Sequence, residues 1–325
     1  MTRRTLSVAI CLIVAASTIA CGGAPATPGS PSVPSSSRGA SAVLPSPDGP
    51  RGSDLPIAGG SWSSSTPMPS RRAEHAAAVI DGVIYLPGGL DGDGKTLDTF
   101  ESYDPATDTW ATLPPLPEPR DHFGLAALDG KLYLTGGSIF FEGAVRASTW
   151  AYDPAAATWT ALAPMPAPRN QHGSLAIDGK IYVAGGVVRG PDSRALWAYD
   201  PATGEWQTDL APMPTEREHL AVVGAGGRLI ALGGRKGSNF AAVEAFDPAT
   251  NTWESFPDMP TPRGGMTADV IDGVIHVAGG ENLETMSTYS EHESSASRRR
   301  PGHAGPTSRR SATGWPLLSS MAAGT

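Results

Sequence analysis

Residues 110–137 read WATLPPLPEPRDHFGLAALDGKLYLTGG, and this stretch decides the fold. Two apolar runs within it, at 122–128 and 131–135, are separated by Asp129-Gly130. An Asp-Gly pair between apolar runs is typical of a β-hairpin with a type I′ turn, because both central residues of that turn need positive φ. The stretch therefore predicts two antiparallel strands, and the Gly pair at its end allows close backbone approach.

Similar phrases recur along the chain. A tryptophan opens each copy, and successive tryptophans are separated by 48, 49, 47 and 47 residues. These are Trp62, Trp110, Trp159, Trp206 and Trp253. Further Asp-Gly turns lie at 81–82, 178–179 and 272–273, and Tyr-Asp-Pro or Phe-Asp-Pro precedes each of the last four tryptophans. Agreement at this many offsets indicates an internal repeat with four short strands in each unit.

A single four-stranded sheet cannot cover both of its faces, whereas several sheets packed around an axis can. The double-Gly strand, the Tyr-Asp-Pro turn and the spaced tryptophans over residues 56–293 resemble the Kelch repeat, whose period is about 50 residues. This resemblance implies an all-β fold, a Kelch-type β-propeller of four-stranded blades. Aromatic residues repeated once per unit are usually core, so we expect the tryptophans and four partner rings to pack between blades. The partner rings are those of Tyr103, Tyr152, Tyr199 and Phe246.

The repeat breaks after its fifth copy. Residues 264–292 repeat the first three strands, but no Asp-Pro and tryptophan follow, and residues 294–325 carry five Arg and no acid. One interpretation is a disordered basic tail. The interpretation that we favour is a frameshift, because residues 304–325 can be encoded so that a shifted frame reads WTDLPTLRHGLASAVVDGRWY, close to another unit. The chain is then either a five-bladed ring, completed by the strand at Trp62, or an open and truncated six-bladed ring.

The N-terminus predicts export. Residues 1–21 read MTRRTLSVAICLIVAASTIAC, in which two arginines precede an apolar run that is too short to span a bilayer comfortably. The last four residues, Thr18 to Cys21, resemble the lipobox of bacterial lipoproteins, although Thr18 stands where Leu is usual. The resemblance implies lipidation of Cys21. The alternative is an ordinary cleaved signal in which Cys21 is incidental.

Residues 22–55 are dominated by Pro, Ser, Gly and Ala, which cannot bury enough apolar surface to fold. We expect a flexible tether that holds the domain away from a membrane. The predicted organisation is a lipoprotein signal peptide at 1–21, a tether at 22–55, the propeller at 56–293 and a tail at 294–325. The predicted location is the cell envelope, with the protein exported, lipid-anchored and facing the periplasm or the exterior.

Charge and composition exclude several functions. Residues 1–55 carry four Arg and two Asp, and the tail carries five Arg, so the total of −8 leaves −15 on residues 56–293. An acidic domain repels phosphate backbones, and we predict no nucleic-acid partner. Both Cys lie before residue 22, which excludes a catalytic thiol or a Cys-rich zinc site from the propeller. The G-x-S-x-G, H-E-x-x-H and P-loop motifs are absent, so we predict no catalytic residue and no cofactor.

Polar residues recur where each innermost strand begins, near the expected mouth of the central channel. In four units a histidine follows the repeat arginine by two or three residues. The candidate ligand-binding residues are Arg72, His75, Arg120, His122, Arg169, His172, Arg217 and His219, joined by Arg235 and Glu281 after two of the Gly pairs. A ring of histidines could bind a metal. However, the offsets differ, and once-per-repeat polar residues usually satisfy hydrogen bonds between blades, so we predict no metal site.

The repeats, the tether and the missing catalytic signature favour a binding module: a monomer whose loops present one propeller face to a protein or glycan ligand. Ile139, Phe140 and Phe141 lie in one such loop and suggest a contact surface. Because some Kelch-like propellers are enzymes, the resemblance leaves an alternative of the sialic-acid (N-acetylneuraminate) epimerase type, with acid and base groups in the channel. Copper-radical oxidases need a Cys cross-linked to Tyr, and no Cys follows residue 21. A third interpretation, suggested by the tail, is a non-functional fragment.

Overall fold

A computed structural model describes residues 64–188, 193–282 and 284–295. The predicted signal peptide, Cys21, the tether, Trp62 and nearly all of the predicted tail lie outside the described residues. Within the described part of the chain, no helix combines the length and the apolar character that crossing a membrane requires.

The chain folds into five antiparallel sheets in a ring, with strands numbered in chain order. Sheet 1 contains β1 (Ala78–Ile80), β2 (Val83–Pro87), β3 (Phe100–Asp104) and β4 (Thr109–Leu113). Sheet 2 contains β5 (Gly124–Leu128), β6 (Lys131–Thr135), β9 (Thr149–Asp153) and β10 (Thr158–Leu162). Sheet 3 contains β12 (Gly173–Ile177), β13 (Lys180–Ala184), β15 (Trp197–Asp200) and β16 (Glu205–Gln207). Sheet 4 contains β17 (Ala221–Ala225), β18 (Arg228–Leu232), β21 (Val243–Asp247) and β22 (Thr252–Phe256). Sheet 5 contains β23 (Gly264–Ile271), β24 (Val274–Asn282), β25 (Ser287–Thr288) and β26 (His292–Ser294).

Three short two-stranded sheets accompany sheets 2 to 4. They pair β7 (Ser138–Ile139) with β8 (Ala144–Val145), β11 (Arg169–Asn170) with β14 (Val187–Val188), and β19 (Arg235–Lys236) with β20 (Ser238–Asn239). A single 3-10 turn, η1 (Phe140–Glu142), connects β7 to β8 and ends at Gly143, whose φ is 60°. Except for β11, which precedes the innermost strand of sheet 3, these additions lie in the loops that follow a Gly pair.

The predicted all-β propeller of four-stranded blades is confirmed. In sheets 1 to 4 the spatial order of the four strands follows their order in the chain, from the innermost to the outermost. The predicted Asp-Gly turns have positive φ at both residues, as at Asp129 (49°) and Gly130 (70°), and they set the register of the first hairpin.

Side chains of an innermost strand alternate between two neighbouring sheets. On β5, Leu125 and Ala127 pack in the apolar cluster shared with sheet 1, while Ala126 and Leu128 pack in the cluster shared with sheet 3. The approach to sheet 3 is so close that a Cβ at Gly124 would collide with the Ser174 side chain.

The predicted aromatic packing between blades is confirmed for the repeated rings of sheets 2 to 4, each of which packs in a cluster shared with the preceding sheet. Tyr152, Tyr199 and Phe246 are buried, and each contacts the next tryptophan along the chain at centroid distances of 5.0, 5.3 and 5.4 Å. Tyr103 is half-buried and contacts Trp110 at 4.9 Å. The four repeat tryptophans within the described residues also donate their indole N–H to a backbone carbonyl more than 40 residues away, as from Trp253 to Ala211 at 2.8 Å. The tryptophans therefore tie consecutive units together.

The joint between sheet 5 and sheet 1 differs from the other four. Ile80 and Ile177 lie buried against the next sheet, whereas Ile271, the equivalent residue of sheet 5, is 57% exposed. Val79, on the side of sheet 1 that looks back across the joint, is also 57% exposed. A Cβ at Gly136 would collide with the backbone of sheet 3, but at the equivalent Gly279 it would meet nothing within 4 Å. Among the described residues, this joint is not packed.

Candidate functional site

Backbone hydrogen bonds link the units around the channel mouth. The second residue after each repeat arginine has φ between 50° and 63°, and these residues are Glu74, His122, Gln171, His219 and Gly265. The N–H of each one donates to the carbonyl of its predecessor, at 3.0, 2.8, 2.9 and 2.9 Å for the four steps from Glu74 to Gly265. We call these five residues the mouth ring. The left-handed backbone conformation is uncommon outside Gly, and here it places four side chains at one end of the channel.

The third residue after the repeat arginine points elsewhere, into the interface with the preceding sheet. His172 is buried there, with Nε2 3.0 Å from Thr135 Oγ1 of sheet 2. Burial first, and then the charge of Arg169, lowers the pKa of His172 to about 3. His75 holds the same position in sheet 1, and burial followed by the charge of Arg72 lowers its pKa too. These two candidate histidines are therefore placed in a sheet face and not in the mouth ring.

The repeat arginines are buried within their own sheets. Arg217 donates to the carbonyl of Ala242 at 2.8 Å and forms an ion pair with Glu244, also at 2.8 Å. Arg169 donates to the carbonyls of Gly185 and Ala195, both at 2.8 Å. Arg72, Arg120 and the fifth arginine, Arg263, are enclosed in the same way. The structure does not bring the candidates Arg72, Arg120, Arg169 and Arg217 to the channel, and we assign them a structural role.

His122 is held in a network of hydrogen bonds. Its Nδ1 lies 2.7 Å from Oδ1 of Asp121, which is fully buried and also accepts from Ser138 Oγ at 2.5 Å and Thr96 Oγ1 at 2.7 Å. Burial acts to raise the pKa of Asp121, but the hydrogen bonds from His122, Ser138 and Thr96 outweigh it and hold that pKa below its usual value. The Nε2 atom of His122 lies 3.2 Å from Glu74 Oε2 across the ring.

His219 has a parallel environment. Its Nδ1 contacts Glu218 Oε2, and the other oxygen of Glu218 accepts from Arg235 Nε at 3.0 Å. Arg235 in turn pairs with Glu281 of sheet 5, so the predicted residues Arg235 and Glu281 do meet at the mouth. Burial first, and then the charges of Arg235 and His122, lowers the pKa of His219 to about 2. The imidazole of His219 is therefore neutral at physiological pH.

The mouth brings together one carboxylate and two imidazoles. One ligand atom from each of Glu74, His122 and His219 lies within 4.8 Å of the other two, and the two imidazole centroids are 5.5 Å apart. Sequence reasoning missed Glu74, as well as the supporting acids Asp121 and Glu218. Counting positions from each repeat arginine would have found them, because Glu74 aligns with His122 and His219, and Asp121 aligns with Glu218.

An apolar loop tip lies beside the mouth. Phe140 and Phe141 are 47% and 71% exposed, although the backbone N–H of Phe140 donates to Asp121 Oδ2 and Thr96 Oγ1, both at 3.0 Å. The tip borders a cleft of about 400 Å³ between loops of sheets 1 and 2. The cleft is lined by Lys95, Thr96, Glu118, Pro119, Ile139, Phe141, Glu142 and Arg146.

Comparisons with known proteins agree with this architecture. Residues 147–280 match the profile described as the KLHDC2/KLHL20/DRC7 Kelch-repeats domain, and residues 71–117 and 119–166 match the Kelch motif. No curated protein sequence matches the chain. Among solved structures, the one titled "Structure of YjhT" is similar, with a TM-score of 0.56 and 23% identity, over 67% of this chain and 74% of that one. At that identity the likeness concerns the fold alone. With five sheets in a ring and repeat matches from residue 71 to residue 280, the chain is a Kelch-repeat β-propeller.

Proposed function

We propose that this propeller is an exported binding module, held at the cell envelope by lipidated Cys21, that captures a protein ligand on its loop face as a monomer. The proposal of export rests on the sequence of residues 1–21 and on the tether that follows. The proposal of protein binding rests on the exposed Phe140–Phe141 tip, which is the observation that carries it. A Kelch propeller is generally a protein-binding module, and the described residues supply a surface of that kind.

The tip is exposed while its base is fixed. The N–H of Phe140 is held by Asp121, and Arg146 at the other end of the loop donates to Glu118 Oε1 at 2.8 Å. A loop fixed at both ends loses little conformational entropy on binding, which favours affinity. Exposed aromatic rings on such a loop have the character of interface anchors.

The cleft beside the tip is lined by charged side chains as well as by the apolar rings. Lys95 lies on one wall, while Glu118, Glu142 and Arg146 lie near the rings. An apolar anchor with charged groups of both signs at its rim is the usual anatomy of a protein interface. A protein segment that inserts one apolar side chain beside Phe141 would meet both kinds of group.

The test is affinity capture with quantitative mass spectrometry, using the exported chain and the double variant Phe140→Ser/Phe141→Ser. We expect the variant to lose specific partners by at least about tenfold, as for loss of an interface anchor. The matched control is Met286→Ser, because Met286 is 60% exposed but lies in sheet 5. Equal capture by all three proteins would contradict the proposal. If the protein binds to a glycan array and this binding requires both phenylalanines, the ligand is a glycan and not a protein.

The tether is tested separately. Cys21→Ser should move the protein from the membrane fraction to the soluble exported fraction, because a lipid chain is what would hold it. Labelling with a clickable fatty acid should fail in the same variant. If Cys21→Ser stays in the membrane fraction at the level of the unaltered protein, the lipid anchor is wrong.

A second candidate function is supported by the mouth ring. Glu74 and His122 place acid and base groups at the mouth, and a sugar carboxylate could pair with Arg235 by displacing one of its two partners, Glu218 and Glu281. This arrangement supports, as the second candidate function, a sugar-processing enzyme of the sialic-acid epimerase type. Interconversion of N-acetylneuraminate anomers, followed by proton NMR with purified protein, tests it. A rate equal to that of buffer would exclude this activity.

A further inference from the structure

The mouth ring brings three metal-binding side chains to one point. Glu74, His122 and His219 come from sheets 1, 2 and 4, and they meet because each is the second residue after its repeat arginine. All three have φ of 50°, and the backbone hydrogen bonds of the ring fix their spacing. Groups brought together by the frame of the fold are in place before a ligand arrives.

The nitrogen that each histidine would offer is defined by its neighbours. Nδ1 of His122 is engaged by Asp121 and Nδ1 of His219 by Glu218, so Nε2 is the atom that remains in each ring. A carboxylate on the other ring nitrogen is the usual support of a metal-bound histidine, because it fixes the tautomer and the ring orientation. Asp121 supplies this hydrogen bond to His122, whereas Glu218, also the preceding residue of the chain, lies against Nδ1 of His219 without a formed hydrogen bond.

The supports are themselves anchored. Asp121 is fully buried and accepts hydrogen bonds from Ser138, Thr96 and the backbone of Phe140. Glu218 is held by Arg235, which pairs with Glu281 on the next sheet. A solvated surface cluster would not need two independent layers of this kind, and both layers converge on the same two imidazoles.

We propose that Glu74, His122 and His219 form a binding site for a divalent transition metal of the zinc type at the mouth of the channel. Two imidazoles and one carboxylate suit Zn²⁺, and three protein ligands leave a coordination position open toward the channel. Zinc bonds of about 2.0–2.2 Å require the ligand atoms to approach one another more closely than the 4.8 Å within which they lie. Rotation of the half-exposed Glu74 side chain supplies part of that movement.

Stoichiometry and affinity test the site. The full chain, stripped with a chelator and dialysed, is titrated with Zn²⁺ in a calorimeter, and Co²⁺ is used to read the coordination by visible absorption. We expect one Zn²⁺ per chain at the mouth. His122→Asn and His219→Asn should each weaken binding by more than about 100-fold, beyond the range for second-shell changes, and Asp121→Asn by about 10–100-fold. Asn suits these positions because it tolerates positive φ.

The control separates this site from another pair of histidines. His276 and His292 of sheet 5 are stacked, with His276 Nδ1 2.9 Å from His292 Nε2, so they could hold a metal by themselves. His276→Asn should change the affinity of the mouth site less than twofold. Loss of Zn²⁺ binding in His276→Asn with retention in His122→Asn would overturn the proposal.

A gain-of-function variant removes any ambiguity from misfolding. Gln171 occupies the mouth ring between His122 and His219 and has the same backbone conformation. Gln171→His should add a fourth ligand, tighten Zn²⁺ binding by at least about tenfold and change the Co²⁺ spectrum. An unchanged affinity and spectrum in a folded Gln171→His protein, or no Zn²⁺ bound by the unaltered chain, would overturn the proposal.

Discussion

Two pairs of histidines show how one residue of offset divides the molecule into a structural region and a functional one. His122 and His219 follow the repeat arginine by two residues and lie in the mouth ring. His75 and His172 follow it by three and lie outside the mouth ring, where His172 packs against the preceding sheet and His75 is partly buried near Arg72. The same residue type in the same repeat segment therefore has two roles, because the left-handed backbone at the second position, with a φ of 50° at His122 and His219, places that side chain in the mouth ring.

The largest expected effect tests the interface position. Phe123 is buried at the position that His172 holds in sheet 3, and Phe123→Ala should reduce the free energy of unfolding by about 3–5 kcal/mol through the lost packing. Urea denaturation measures this loss. The control is Gln171→Asn in the mouth ring, which should change stability by no more than about 0.5 kcal/mol. Equal losses in the two variants would break the distinction between the two positions.

The next effect concerns the support of the mouth ring. In the native protein, Ser138, Thr96 and His122 all donate hydrogen bonds to the carboxylate of Asp121. Asp121→Asn replaces one carboxylate oxygen with an NH₂ group, which cannot accept a hydrogen bond from these donors. We expect a loss of about 1–3 kcal/mol from the unsatisfied buried groups, measured by thermal unfolding. Asp93→Asn, at an exposed position in a loop of sheet 1, is the comparison, and a loss of stability close to its value is the contrary result. That result would show that Asp121 does not organise the mouth.

The smallest effect is a pH dependence from His172. Its folded-state pKa of about 3 lies below the ordinary value of 6.5, so between these values the unfolded chain binds a proton that the folded protein does not. The contribution of His172 to the free energy of unfolding is therefore fully present above pH 6.5. It decreases as the pH falls below that value, by up to about 1.4 kcal/mol per pH unit. His172→Leu, which copies Leu220 of sheet 4, should remove this part of the slope between pH 6 and pH 4.5. An unchanged slope would contradict the assignment, and Gln171→Asn should keep the native slope.

The sequence predicts the blade and much of the core but not the site. The Asp-Gly hairpins and the repeated aromatic rings were predictable, because turn chemistry and burial repeat with each unit. For the repeat arginines the sequence left two interpretations open, ligand binding and structural pairing with carbonyls or acids, and the structure shows the second. The meeting of Glu74 with His122 and His219 depends on a long-range arrangement that no single unit contains. It also depends on a φ of 50°, which the sequence pattern does not reveal.

Among the residues that the structure describes, the joint between sheet 5 and sheet 1 leaves each of these two sheets with one packed neighbour. In a chain of stacked units, each held only by its neighbours, opening begins at the units that have one neighbour instead of two. Amide protons of β1 and β23 should then exchange with solvent sooner than those of β12, which lies in the middle of the series. The residues of the mouth ring should differ in local stability in the same way, because Glu74 belongs to sheet 1, at one side of the joint, while His122 and His219 belong to sheets 2 and 4. A ligand that pulls Glu74 toward the two histidines would slow exchange at one end of the series more than at the other.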